Sequence, residues 1–420
     1  MSMTKRLHDD GSSRRTRGRR PAPLLFLGLG LVLGLTVHAC DDGPTEPEPP
    51  DPALVAQGKT IFRFETFGDE TFWTDTLRLH EVVQSSVSPA LALQVGLKVD
   101  ADTLPQAVKD ALAAGQIDLA SPATTVTLLK LGAVVGLRGT VETVNGRDTL
   151  VRLGTTCALC HSTVDDAFAP GIGRRLDGWP NLTLNPGAII ALSPALTEAQ
   201  RAVYGSWGPG RYDPRFSFDG VNGPLVIPPA YGLLGVNSST YTGDGEDVAY
   251  WNRYVAVTQM HGHGTFAEPR LGISVSNPPD MVSGQLAALQ AYQLSLEAPQ
   301  PPAGSFDAAA AERGRAVFTG SGRCDDCHEG PRFTDANERL HAPADVVSEP
   351  EPGGAPSYAS RSATKVYRTT PLRALWQHAP YFHNGVAPTL EAVVDLYDSK
   401  KGLGLSAAEK ADLVQYLMSL

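Results

Sequence analysis

The C-terminal part of the chain has the clearest pattern of apolar and polar positions. Ser406 and Glu409 form a Ser-x-x-Glu capping box, and an apolar stripe at helical spacing follows it. The stripe consists of Leu413, Val414, Tyr416, Leu417 and Leu420. Upstream, an alanine-rich stretch runs from Asp307 to Val317 and is followed by Gly320. Since aspartate favours helix starts and glycine favours helix ends, the pattern predicts two helices, one after each cap.

The first half of the chain is less regular. Residues 81–114 have a moderate helical periodicity, whereas residues 133–153 are rich in β-branched side chains and are split by Asn145-Gly146. An Asn-Gly pair between two such runs is a strong hairpin signal. Between residues 170 and 245 glycine and proline are frequent, which indicates ordered loops and short turns.

The N-terminus has the pattern of an export signal. A basic start is followed by an apolar run of 14 residues, from Leu24 to Val37, which is shorter than the roughly 20 residues of a membrane span. We therefore expect residues 1–39 to be an export signal. The following Cys40 resembles the lipid-modified cysteine of a lipoprotein, although ordinary cleavage after Ala39 also fits; an unpaired thiol in an oxidising compartment favours the lipid anchor. Residues 40–55, rich in proline and acidic side chains, then form a tether.

Four of the five cysteines of the chain lie in two Cys-x-x-Cys-His motifs. The residues of these motifs are Cys157, Cys160 and His161, and Cys324, Cys327 and His328. Two thiols at this spacing reach both vinyl groups of one porphyrin, and the adjacent histidine becomes the proximal iron ligand. A split zinc site or a redox disulfide would not require the histidine twice. The sequence predicts two covalently bound haem c groups with His161 and His328 as iron ligands.

Charge and cofactor together restrict the location and the partners. Haem is attached to such motifs on the outer side of the bacterial cytoplasmic membrane, which predicts a periplasmic or cell-surface location, with membrane contact through the anchor at Cys40. Without residues 1–39 the chain has 28 basic and 43 acidic residues. This balance disfavours nucleic-acid binding and suits a basic redox partner protein.

The expected fold class is mainly α, with two cytochrome c-like haem domains, long ordered loops and a small N-terminal region that contains a β-hairpin. The Pro-rich segment 298–304 marks the clearest boundary. The predicted parts are the small N-terminal region over 56–150, the first haem domain over 151–300 and the second cytochrome c domain over 305–420.

The C-terminal part resembles a known family. The segments Thr370-Pro371-Leu372-Arg373, Ala379-Pro380-Tyr381-Phe382-His383-Asn384-Gly385 and Thr389-Leu390-Glu391 are similar to the signature of bacterial di-haem cytochrome c peroxidases and of MauG. The resemblance covers residues 305–420 well, and the stretch from 56 to 300 only through its haem motif. It implies a peroxidatic haem with an accessible distal face and a second haem, with two protein ligands, that transfers electrons.

The resemblance also implies a distal ligand for the second haem. The family places that ligand fourteen residues after the histidine of the Pro-Tyr-Phe-His motif, where peroxidases have methionine and MauG has tyrosine; here the position is Tyr397. A phenolate ligand would stabilise ferric iron. Tyr397 also fits an ordinary amphipathic helix face, and His383, His378 and His341 are the alternative ligands.

The peroxidases that this chain resembles place a distal histidine on a loop shortly after the first motif. This chain lacks that histidine, because none occurs between His161 and His261. The sixth position of the first haem is therefore open, or it is filled from the segment around His261 and His263. Gln259 and Glu268 are candidate acid–base groups for cleaving an O–O bond.

Two further groups of residues are candidates near the haems. Trp251 and Trp376 are possible electron relays, and core packing is the alternative for both. Four arginines are possible partners of haem propionates, because a guanidinium pairs well with a carboxylate: Arg174, Arg175, Arg211 and Arg215.

Three functions compete at this point. The first is an enzyme that reduces hydrogen peroxide, or uses it to oxidise a partner, at haem one while haem two supplies electrons. The second is an electron-transfer protein in which both irons are six-coordinate. The third is an oxygenase that resembles the di-haem rubber oxygenases and uses dioxygen. The peroxide enzyme is the favoured interpretation, and the sequence does not identify the substrate.

Overall fold

The structure is a computed structural model that describes residues 47–420. The expected export signal, Cys40 and the tether up to residue 46 lie outside the described residues and stay predictions. Residues 47–420 belong to one compact unit, and the domain boundaries expected near 150 and 300 stay predictions as well. In the described part of the chain, no helix is long and apolar enough to cross a membrane.

Helices are the main regular secondary structure of the described residues. The α-helices are α1 Pro52–Phe64, α2 Leu79–Ser86, α3 Pro89–Gln94, α4 Gln106–Ala113, α5 Pro122–Lys130, α6 Ala158–His161, α7 Pro186–Ala191, α8 Glu198–Gly205, α9 Phe216–Asp219, α10 Val248–Tyr254, α11 Leu286–Leu294, α12 Ala308–Thr319, α13 Leu390–Lys401 and α14 Ala407–Ser419. Two π-helical turns, Thr71–Thr76 and Val255–Gln259, complete the longer helical segments.

The strand content is modest and consists of two-stranded sheets. The strands are β1 Val99–Asp100, β2 Leu137–Val144, β3 Arg147–Thr155, β4 Ser162–Val164, β5 Ile172–Gly173, β6 Arg175–Asp177, β7 Arg211–Tyr212, β8 Leu225–Val226, β9 Gly264–Glu268 and β10 Ile273–Asn277. β2 and β3 form an antiparallel hairpin around Asn145 and Gly146. Both turn residues have positive φ angles, of 51° and 75°, which is the conformation that the Asn-Gly pair favours.

Helices α12 and α14 cross closely in the C-terminal part. Asp307 caps α12 through the amide of Ala310, and Ser406 and Glu409 form the capping box of α14, as their sequence indicates. The crossing point is Gly314, where an added Cβ would lie 2.0 Å from the carbonyl oxygen of Asp412. The two backbones therefore touch because Gly314 has no side chain.

Helices α1 and α11 repeat this arrangement beside the first Cys-x-x-Cys-His motif. At Gly58 an added Cβ would lie 1.9 Å from the carbonyl oxygen of Ala288. Phe62 of α1 packs edge-on against Tyr292 of α11, with ring centroids 5.5 Å apart. Each Cys-x-x-Cys-His motif is thus accompanied by one pair of helices that cross at a glycine. Helix α1 begins before residue 56, where the small N-terminal region was predicted to begin. It packs against α11, which belongs to the predicted first haem domain.

Two candidate haem-binding sites

The first motif lies directly after β3, and its histidine ends the short helix α6. The thiols of Cys157 and Cys160 are half-buried and are not in a disulfide. The Nδ1 atom of His161 lies 3.1 Å from the carbonyl oxygen of Pro228, and burial lowers the pKa of His161 to about 4. Nδ1–H therefore donates to Pro228, and the neutral ring keeps a lone pair on Nε2. This is the tautomer that an iron ligand needs.

A cavity of about 280 Å³ adjoins this motif. Its walls are mainly apolar, and both thiols and the His161 ring lie in its lining. Both π-helical turns contribute to the walls, one through Trp73 and the other through Val255 and Gln259. Such turns are often found at functional sites. A thiol pair, one oriented imidazole and apolar walls form a donor set and surroundings that fit a covalently attached haem.

The second motif shows the same arrangement of its histidine. The Nδ1 atom of His328 lies 3.0 Å from the carbonyl oxygen of Phe333, and burial lowers the pKa of His328. Here too the backbone holds Nδ1–H and leaves Nε2 free for a metal. The two motifs therefore agree in a feature that neither cysteine spacing nor sequence pattern contains.

Tyr397 of α13 lies near the second motif. Burial raises the pKa of Tyr397, and the neighbouring thiols of Cys324 and Cys327 raise it further. Its ring centroid is 6.1 Å from that of Phe382. The structure thus brings the phenol of Tyr397 close to the thiols that would hold the second haem.

The three alternative histidines each have a protein partner. His383 Nε2 lies 2.6 Å from a carboxylate oxygen of Glu351, His378 Nε2 lies 3.2 Å from the carbonyl oxygen of Arg373, and His341 Nε2 lies 3.0 Å from Asp335. His383 is buried, and its ring packs against Tyr367, with ring centroids 4.8 Å apart. The carboxylate contacts of His383 and His341 make these two the weaker ligand candidates, whereas the carbonyl contact of His378 leaves its other ring nitrogen free. Tyr397 stays the predicted ligand of the second site.

Of the four residues predicted to act at the first haem, Gln259 lines the first cavity. The hydroxyl of Tyr212 donates to its Oε1 atom at 2.9 Å, so the amide is held in place. The other three lie elsewhere: His261 stacks on Phe72, with ring centroids 3.6 Å apart, and His263 Nδ1 lies 3.0 Å from the carbonyl oxygen of Pro278. Hydrogen bonds from Arg270 lower the pKa of Glu268 to about 2, which makes Glu268 a poor proton donor.

The two tryptophans have different positions. Trp251 lines the first cavity and stacks on Tyr254, with ring centroids 4.7 Å apart. Trp376 instead packs edge-on against Trp179, with ring centroids 5.8 Å apart. Trp179 follows Gly178, whose amide donates to the carbonyl oxygen of His161 at 2.8 Å. Trp179 was not among the sequence candidates, because no local pattern marks it.

The four candidate arginines are all engaged by other groups. Arg174 is exposed and pairs with Asp165, while Arg175 and Arg215 are buried beside Asp100 and Asp244. Arg211 donates to the carbonyl oxygen of Asn384 at 2.9 Å. None of the four lies among the described residues that line the first cavity.

Asp69 is a buried acid that forms hydrogen bonds with the end of β3, directly before the first motif. Both of its carboxylate oxygens accept from the amide of Thr155, and its Oδ2 accepts from the Thr155 hydroxyl at 2.5 Å. Burial nevertheless raises the pKa of Asp69 to about 8, and these hydrogen bonds offset only part of the effect. Sequence reasoning missed Asp69, because a single aspartate carries no motif.

Asp69 predicts a stability that falls with rising pH. Between about pH 4 and pH 8 the native protein holds a proton on Asp69 that the unfolded chain has released, so the free energy of unfolding should fall by about 1.4 kcal/mol per pH unit from this group. The contribution is complete below pH 4 and lost above pH 8. Urea unfolding at a series of pH values measures the slope. Asp69→Asn should remove it, whereas Asp75→Asn, at a solvent-exposed ion pair, should keep it; equal slopes in both variants would contradict the prediction.

Comparisons with known proteins agree with the C-terminal signature. The profile of the family described as RoxA-like, cytochrome c-like matches residues 366–401. The chain is 34% identical over 145 residues to the cytochrome-c peroxidase IdrP2 of a Pseudomonas species, and 33% identical over 160 residues to the methylamine utilization protein MauG of Methylorubrum extorquens. This chain resembles the di-haem cytochrome c peroxidases and MauG.

The matches cover only part of each protein. The alignment with IdrP2 covers 26% of this chain and 39% of IdrP2, and the alignment with MauG covers 33% and 43%. The chain thus spans about two fifths of the length of the curated relatives it matches. A solved structure of the diheme peroxidase BthA from Burkholderia thailandensis aligns over 88% of this chain and 86% of its own, at 15% identity and a TM-score of 0.27. The resemblance predicted from the sequence is confirmed, and the cofactor that it supports is haem c.

Proposed function

We propose that this chain binds two haem c groups, one at each Cys-x-x-Cys-His motif, and acts as an oxidoreductase of the peroxidase and MauG type. Haem one reduces hydrogen peroxide, or uses it to oxidise a partner protein, and haem two transfers electrons. A bound haem c supplies one-electron redox chemistry and, at an open coordination site, the reaction with peroxide. The proposal includes export and a lipid anchor at Cys40.

One observation carries the peroxide reaction at the first site. His161 is the one imidazole among the described residues that line its cavity, so no second histidine is placed to fill the sixth position. His161 would hold the iron through Nε2. Tyr212, Thr258 and Tyr254 hold the amide of Gln259 in the cavity wall, and the apolar walls would exclude water.

The second site would have two protein ligands, His328 and Tyr397. The carbonyl oxygen of Phe333 keeps His328 in the required tautomer. The raised pKa of Tyr397 describes the protein without an iron, and coordination would supply the cation that stabilises the phenolate. The contact between Trp179 and Trp376 connects the surroundings of the two motifs, and we place the electron path there.

Two alternatives remain open to test. Met260 also lines the first cavity, and its thioether would make haem one six-coordinate, which favours an electron carrier. The apolar walls and the RoxA-like match over 366–401 favour an oxygenase that acts on an apolar substrate. Oxygen uptake that depends on such a substrate and needs no peroxide would favour the oxygenase.

Low-temperature EPR of the purified ferric protein, before and after stoichiometric hydrogen peroxide, tests the proposal. We expect a high-spin ferric signal from haem one that peroxide removes, and a low-spin signal from haem two. Tyr397→Phe should change the low-spin signal alone, because it removes the phenolate ligand. Tyr381→Phe, which loses only a hydrogen bond to the carbonyl oxygen of Leu375, is the matched control.

Two low-spin signals that do not respond to peroxide, in the oxidised and the half-reduced protein alike, would refute the peroxidase assignment and leave an electron carrier. An unchanged low-spin signal in Tyr397→Phe would exclude Tyr397 as a ligand.

A further inference from the structure

Arg368 is half-buried and differs from the fully buried arginines of the chain. Its side chain lines the cavity of the first site, its Nε atom is buried without a hydrogen-bond partner, and its Nη1 donates to the carbonyl oxygen of Ser238 at 3.2 Å. Within residues 47–420, no carboxylate lies within ion-pair distance of this guanidinium. Desolvating a cation without an anion is costly. The cavity wall therefore contains a positive charge that lacks its partner.

The buried arginines that face away from this cavity also have unpartnered nitrogen atoms, but each of them lies beside a carboxylate. Arg175 lies 3.1 Å from Asp100, and Arg215 pairs with Asp244. Burial lowers the pKa of Arg368 to about 10, which fits the absence of a neighbouring acid. The difference between Arg368 and the paired arginines indicates that the missing anion belongs to a ligand of the cavity.

The backbone fixes Arg368 on the cavity wall. Its amide donates to the carbonyl oxygen of Tyr241 at 2.9 Å. Tyr241 and the preceding Ser239 and Thr240 line the same cavity. The guanidinium therefore faces the cavity from a wall that main-chain contacts hold in place.

The segment around Arg368 also contacts the second site. Tyr367 exchanges two backbone hydrogen bonds with His341, of 2.7 and 2.8 Å, and the hydroxyl of Thr334 donates to the carbonyl oxygen of Thr369 at 2.6 Å. Thr334 follows Phe333, whose carbonyl oxygen accepts from His328. Neighbouring residues of one segment thus contact the loop of the second motif and the cavity of the first.

We propose that Arg368 binds a propionate of the haem at the first site. The inference rests on the proposed haem at the first site. It adds to that site a residue from the segment that contacts the second site. Only the propionate groups of an otherwise apolar porphyrin provide the anion that the guanidinium lacks. The positive charge of Arg368 would disfavour ferric iron, so that its removal would lower the reduction potential of haem one.

A potentiometric titration of the full-length protein, followed optically at both haems, tests this inference. In Arg368→Gln we expect a lower midpoint potential of haem one, equivalent to a shift of about threefold or more in the equilibrium between ferrous and ferric iron, and an unchanged haem two. Arg368→Lys should keep most of the potential. Arg174→Gln, at an exposed arginine beside Asp165, should match the unmodified protein.

The outcomes separate this inference from the proposed function. An unmodified protein that carries no haem at the first motif, as measured by pyridine haemochrome analysis, would refute the proposed function. Two bound haems and an unchanged haem-one potential in Arg368→Gln would refute only the role of Arg368. If Arg368→Gln does not fold, resonance Raman spectra of Arg368→Lys decide, because a shifted propionate bending mode supports the contact and an unchanged mode refutes it.

Discussion

Replacing His161 by alanine is expected to lower peroxide-dependent turnover by more than about 100-fold, since the proposed proximal ligand of the reactive haem is lost. His161 is the imidazole that the carbonyl oxygen of Pro228 orients toward the first cavity. Peroxide-dependent oxidation of a reduced electron donor measures the effect, with haem content determined on the same sample.

His263→Ala is the matched control for His161→Ala. Its imidazole contacts the carbonyl oxygen of Pro278 and lies outside the lining of the cavity, so turnover should stay within about twofold. If both variants lost activity equally, or if His161→Ala kept both its haem and its turnover, the assignment of haem one as the peroxide site would be wrong.

Replacing Gly58 by alanine is expected to lower the free energy of unfolding by about 3 kcal/mol. The new Cβ would lie 1.9 Å from the carbonyl oxygen of Ala288, so α1 and α11 would have to separate. Denaturant unfolding measures the loss, and Gly314→Ala should show a similar loss because its Cβ would meet the carbonyl oxygen of Asp412 at 2.0 Å.

Gly205→Ala is the control for these two variants. Gly205 ends α8, and an added Cβ there would meet no atom within 4 Å. We expect the free energy of unfolding to change by less than about 1 kcal/mol. A small increase would follow from the lower conformational freedom of alanine in the unfolded chain. Equal losses at Gly58 and Gly205 would show that helix propensity, and not the crossing of the helices, sets the effect.

Local signals in the sequence were enough for several parts of the fold. The capping residues Asp307 and Ser406 indicate where α12 and α14 begin, and Asn145-Gly146 indicates the hairpin of β2 and β3. Helix α1 was missed, although Asp51 and Pro52 form an ordinary N-terminal cap. Its short apolar pattern did not stand out beside the tether that precedes it.

The candidate site residues also divide into those that the sequence located correctly and those that it did not. Gln259 lies on the cavity wall, but His261 and His263, two and four residues later, do not. A π-helical turn ends at Gln259, and His261 has a positive φ of 63°, so the chain changes direction between these neighbours. Neither feature is visible in the spacing of the residues.

The sequence by itself determined the haem-binding chemistry, the helix caps and the hairpin turn, because each depends on residues within a few positions of one another. The tertiary structure decided which side chains surround each site: Trp179 meets Trp376 across 197 residues, and Arg368 reaches the cavity of a motif that lies about 200 residues earlier. The physical reason is that a cavity wall forms where distant segments pack together. Local sequence does not contain that packing.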